Sequence, residues 1–138
     1  MALGVNYLLI DANVWLAFFI EDDPYHRTAD QALELLIQQD RGGFITDFVL
    51  QEIITILLYR KKIQAAELFL KYIQQDQIEL FNLDAACFHQ IMTFIQQHHY
   101  QPKLSLADWS LLFLAKECSL ELMTFDKQLY NAYKKLGV

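Results

Sequence analysis

Four short apolar runs, near 6–10, 43–46, 78–81 and 121–125, alternate along the chain with longer stretches in which apolar residues return every three or four positions. Strand side chains repeat every two residues and helical ones about every 3.6. The short runs therefore predict strands, and the longer stretches predict helices over 12–20, 25–39, 47–60, 63–75, 84–98, 105–118 and 126–136. In the second helix Leu33, Leu36 and Ile37 share one face, and Asp23-Pro24 ahead of it suits a cap followed by a first-turn proline. Arg41-Gly42-Gly43 predicts a turn before the second strand, and Tyr100-Gln101-Pro102 closes the region before the sixth helix. Strands alternating with helices imply an α/β fold, a central parallel sheet of four or five strands flanked by about seven helices.

At 138 residues and 54% hydrophobic, the chain predicts one domain over 1–138 with a substantial core. Seventeen acidic and eleven basic side chains leave a net charge of -6, so no general basic face advertises a polyanion partner. No uninterrupted apolar span reaches the ~20 residues of a membrane helix, and the N-terminus lacks a basic segment followed by a signal-type apolar stretch. The expectation is a cytoplasmic protein without a membrane partner. Cys87 and Cys118 form no C-x-x-C pair and read as core-filling thiols.

Three of the strands run into an acid: "YLLI" into Asp11, "GFIT" into Asp47 and "ELMTF" into Asp126. A parallel sheet aligns the carboxyl ends of its strands along one edge, where open α/β folds place their ligands. Helix capping is the ordinary explanation for an acid that precedes a helix, and it is favoured for Asp47. It is weaker for Asp11, because Asn13 is also available to cap. In "DFVLQEIITILLYR" the apolar stripe of Leu50, Ile53, Ile54 and Leu57 leaves Glu52 among Phe48, Ile56 and Tyr59, with no basic residue at i+3 or i+4. That helix is apolar nearly all round, which predicts a second buried face and a charge needing a metal or a distant cation. Asp108 follows Ser105 at capping-box spacing. Four acids in or beside apolar elements are poorly explained as independent caps. Clustered carboxylates repel and raise one another's pKa unless a cation compensates, and magnesium or manganese prefers such oxygen ligands.

The motifs "LLIDANVWLAFF", "TDFVLQEIITIL", "LSLADWSLLFLAKE" and "ELMTFDKQL", in that order, resemble those of PIN-domain ribonucleases, in particular the VapC-like toxins of bacterial toxin–antitoxin pairs. The resemblance runs from about Val5 to Leu136. It implies a PIN-like fold and a site in which Asp11, Glu52, Asp108 and Asp126 bind one or two Mg2+ or Mn2+ ions and act in catalysis. Thr124 and Asn13 support that site, with Ser105 and Asp47 beside it. Two departures stand out: Asp47 where the family often has a small hydroxyl residue, and Trp109 where smaller residues are common.

The implied activity is metal-dependent hydrolysis of RNA phosphodiester bonds, for which divalent ions activate water and offset charge on the leaving oxygen. The implied partners are an RNA substrate, a small antitoxin and a second copy of the chain in a homodimer. The alternatives are a housekeeping RNA-processing nuclease of the same fold and a non-catalytic RNA-binding or scaffold module. Arg60, Lys61, Lys62 and Lys103 are candidate phosphate contacts, weighed against solvated turns. His98-His99 lacks the companions of a zinc site, and no base-stacking aromatic motif is distinguishable in the sequence.

Overall fold

Tyr7–Ile10 forms β1, and its residues Leu8, Leu9 and Ile10 are each at most 1% exposed. Successive strand side chains point to opposite faces, so burial of all three requires cover on both sides of the sheet. The structure is a computed structural model that describes residues 7–75 and 78–137. The first predicted strand begins at Asn6, outside the described residues.

After β1 come α1 (Ala12–Phe19), α2 (His26–Gln38), β2 (Gly42–Thr46), α3 (Asp47–Tyr59), α4 (Ile63–Tyr72), β3 (Ile78–Phe81), α5 (Ala85–Gln97), α6 (Leu106–Glu117), β4 (Glu121–Met123) and α7 (Lys127–Lys135). The four strands make one parallel sheet in the order β3-β2-β1-β4, with Leu9 opposite Phe44 on one side and Leu122 on the other. Helices α1 to α4 pack as one group and α5 to α7 as another. The expected α/β architecture is therefore present.

Some boundaries differ from the sequence reading for identifiable reasons. Gly42 and Gly43 lie inside β2, and the chain reverses earlier, at Asp40, whose φ is 53°. A Cβ on Gly43 would stand 3.0 Å from Ile78 Cδ1 and 3.7 Å from the Trp15 ring, so this glycine permits close packing rather than a turn. Asp23 does not cap α2. Its Oδ1 accepts from the Tyr25 N–H at 2.8 Å in a turn, and the helix starts at His26. Strand β4 ends at Met123 because the next residues bond elsewhere: Thr124 Oγ1 donates to Asp11, and the Phe125 N–H donates to Asn13 Oδ1. The buried Trp15 anchors an aromatic cluster with Phe19, Phe69 and Tyr72. Cys87 and Cys118 are free thiols and only partly buried, so they pack at the margin of the core rather than filling it.

Candidate metal centre

The carboxyl edge of the sheet delivers Asp11 directly from β1 and Asp126 just beyond β4, while α3 brings Glu52 and the first turn of α6 brings Asp108. All four line one open cleft of about 850 Å³. No Lys or Arg lines it, and no ion pair among the described residues involves any of the four acids. Among the described residues no basic side chain balances their charge.

Asp11 is the most enclosed of the set, at 8% exposed. It stands at the N-cap of α1, and its Oδ1 accepts from the Ala12 N–H at 2.7 Å. Its Oδ2 accepts from Thr124 Oγ1 at 2.7 Å and from Asn13 Nδ2 at 3.3 Å. Asn13, considered from sequence as the cap, instead braces the site: its Nδ2 also donates to Thr124 Oγ1 at 3.2 Å. Thr124 Oγ1 in turn accepts from the Asp126 N–H at 3.1 Å. One hydroxyl thus fixes Asp11 and the approach to Asp126, and hydrogen bonds of this outer kind hold ligand carboxylates in orientation.

Burial pushes the Asp11 carboxyl up to about 6, against the hydrogen bonds from Thr124 and Ala12, and the charges of Asp108 and Glu52 push the same way. Asp108 is raised chiefly by burial, with hydrogen bonding to Ser105 opposing and the Asp126 charge adding. Glu52 is raised by partial burial of its carboxyl group and by Asp108. These mutual effects show that the acids sense one another across the cleft. Glu52 nevertheless lies at an exposed position on α3, which corrects the expectation of a charge enclosed in an apolar contact.

Local structure explains the other sequence-predicted residues. Ser105 caps α6 by accepting from the Asp108 N–H at 3.1 Å, which sets the first turn that carries the acid. Asp126 caps α7, its Oδ1 accepting from the Gln128 and Leu129 N–H groups at 2.9 and 3.2 Å, and it lines the cleft as well. Asp47 is neither the cap of α3 nor a lining residue. The cap is Thr46, whose hydroxyl accepts from the Val49 N–H at 3.2 Å. Asp47 accepts from the Phe48 and Leu83 N–H groups and ties the start of α3 to the segment before α5. The small hydroxyl missing at Asp47 is thus supplied one residue earlier.

The basic candidates do not join the acids. Lys61 and Lys62 line a separate cleft of about 620 Å³ with Glu21 and Asp22, and Lys62 Nζ is 3.7 Å from Asp22 Oδ1. Arg60 is the C-cap of α3, roughly 12 Å beyond Glu52 along the helix at 1.5 Å per residue. Lys103 is exposed and held beside α7, its carbonyl accepting from Gln128 Nε2 at 3.1 Å. Gln51 and Thr55 line the acid cleft but were missed in the sequence. Thr55 stands at i+3 from Glu52 and at i+4 from Gln51, and that helical spacing was the available signal.

The cleft's donors are carboxylate oxygens, the chemistry a hard divalent cation selects. As placed, no three acidic, His or Cys side chains among the described residues are grouped closely enough to enclose an ion. A cation that keeps several of its waters needs no such cage, and Mg2+ is commonly held by one or two carboxylates. The open, unbalanced cluster fits that manner of binding.

A parallel α/β sheet with an acidic cleft at its carboxyl edge defines the class. The chain belongs to the PIN domain family, whose model matches residues 8–135. Its fold is that of the VapC toxins: over 91% of this chain and 94% of the other it superposes on the sarcin-ricin loop cleaving toxin VapC20 of Mycobacterium tuberculosis, with a TM-score of 0.73 and 18% identity. A toxin–antitoxin complex from Klebsiella pneumoniae matches with a TM-score of 0.64 and 22% identity over 88% of each chain. VapBC2 of Rickettsia felis, bound to a DNA fragment from its promoter, matches with 0.66 and 16% over 91% of this chain and 92% of that one. No curated protein sequence matches the chain.

Proposed function

We propose that the chain is a Mg2+- or Mn2+-dependent endoribonuclease and the toxin of a toxin–antitoxin pair. The observation that carries this reading is the set of four carboxylates in one cleft without a basic partner. One or two divalent ions bound there would supply an activated water and counter-charge at the leaving oxygen. Asp11, Glu52, Asp108 and Asp126 hold the cation, and Thr124 and Asn13 keep the Asp11 carboxylate turned in a fixed direction. Neutralising four carboxylates would also offset most of the net charge of -6, which otherwise opposes an RNA substrate.

The toxin role and the small antitoxin partner are supported by the family and by the toxin–antitoxin complexes that share the fold. Among the described residues no helix is long and apolar enough to cross a membrane. The sequence reading sets the second face of α3, with Phe48, Ile56 and Tyr59, against a partner copy, and only part of that face is free for one. Phe48 packs on Phe88 within the chain and Ile56 lines the cleft, whereas Leu58, Tyr59 and Ile63 at the α3–α4 corner are 52%, 87% and 52% exposed. We place the self-association surface at that corner, since exposed apolar residues in a group mark contact sites.

The test is cleavage of a panel of structured and single-stranded RNAs in Mg2+, in Mn2+ and in chelator. Wild type is expected to cut only with metal, and Asp11→Asn to lose cutting while keeping its fold. Metal-independent cutting, or full activity of Asp11→Asn, contradicts the reading.

A further inference from the structure

The acid cleft has no Lys or Arg on its walls, so it offers no Coulombic attraction for the backbone of an RNA beyond what a bound cation provides. Affinity for the strand must come from contacts beside it. One aromatic pair does not line that cleft but is joined to it through Phe125, the residue between Thr124 and Asp126. Tyr25 stacks on Phe125 with ring centroids 4.7 Å apart and planes inclined by 17°.

The order of the stack is set by packing. Phe125 lies against the hydrophobic core, and Tyr25 covers it from the segment between α1 and α2 while remaining 51% exposed. Phe125 is held between two residues of the site. Thr124 before it donates to Asp11, Asp126 after it lines the cleft, and its own N–H donates to Asn13 Oδ1 at 3.1 Å. Tyr25 occupies the N-cap of α2, a position that favours Ser, Thr, Asp or Asn, yet its side chain makes no capping bond. Its ring is thus not required by the helix it begins. The segment is fixed instead by the bond from the Tyr25 N–H to Asp23 Oδ1.

We infer that Tyr25 is a base-stacking residue of the ribonuclease site, with Phe125 as the positioning residue beneath it, and that the substrate presents an unpaired base next to the scissile phosphate. This rests on the reading of the acid cleft as a ribonuclease centre. Aromatic faces accept any base, and a stack already ordered on the core loses little freedom when one more ring is added. A paired base keeps both faces inside its duplex, so the contact selects loops and single strands.

The experiment uses an RNA oligonucleotide cut by the wild type, the same RNA with an abasic ribose on either side of the cut, and the same RNA carrying 2-aminopurine there. Tyr25→Ala is expected to raise KM about 10-fold with little change in kcat, the size of one lost stack. Tyr25→Phe and Tyr25→Trp are expected to stay near wild type, and Phe125→Leu to fall between. On the abasic RNA the wild type and Tyr25→Ala should become equal. In an Asp11→Asn background, 2-aminopurine fluorescence should be quenched on binding by the Tyr25 protein and not by its alanine variant. Unchanged KM and quenching in Tyr25→Ala, or a penalty that persists on abasic RNA, overturns the stacking role and leaves the nuclease reading intact. No RNA cutting by the wild type in Mn2+ overturns both.

Discussion

Asp11 carries the largest electrostatic cost in the site. A carboxyl held near 6 against an ordinary 3.8 costs about 3 kcal/mol when ionised. Acids raised in this way bind protons more tightly in the folded chain than in the unfolded one. Their contribution to stability is therefore most favourable below the ordinary 3.8 and declines as pH rises through about 6. Glu52 adds to that cost through its charge, so in chelator Glu52→Gln should melt higher than wild type at neutral pH. The difference should vanish below the ordinary glutamate value of 4.5. Manganese should raise the variant's melting temperature less, because a lost ligand raises Kd. Melts across pH in chelator and in manganese check both points, and a pH-independent difference would detach Glu52 from the cluster. Thr124→Val removes the 2.7 Å hydrogen bond that lowers Asp11. Manganese affinity is expected to fall about 10- to 100-fold and its pH midpoint to move upward, as titration calorimetry at several pH values would show.

At the scale of elements, the strand-to-acid junctions were legible because a short continuous apolar run and the carboxylate that follows it are local signals. Partners that lie far along the chain were not. Nothing near Asp47 announces that its Oδ2 will meet the Leu83 N–H, 36 residues away, and that bond is what draws it off the site. The network joining Asp11 to Thr124 spans 113 residues, and only the resemblance to a family suggested it. The exposure of Glu52 was hidden for a related reason: an apolar helix has no visible inner face until its neighbours are placed. The Ser105 cap was legible, since a cap and its N3 acid lie only three residues apart in sequence. Ser105→Ala should cost about 1 kcal/mol of stability in urea unfolding and should also slow RNA cutting, because the turn that carries Asp108 loosens. Loss of stability with unchanged cutting would limit Ser105 to capping.

For the whole molecule, the sheet order and the two helix groups place four acids from four elements at one edge, while three of the exposed apolar residues, Leu58, Tyr59 and Ile63, lie at the α3–α4 corner. These surfaces are separable. Tyr59→Asp should halve the mass seen by light scattering without altering manganese binding, and a mass unchanged by the substitution would move the dimer face elsewhere. Asp11, Glu52, Asp108 and Asp126 are proposed to form one divalent-metal centre. The most direct measurement is an anomalous difference map from crystals equilibrated with manganese. A peak is expected in the cleft within coordination distance of at least two of these carboxylates, bridged to the others by water. A cleft without a peak at saturating manganese, or a peak held only by other residues, would contradict it.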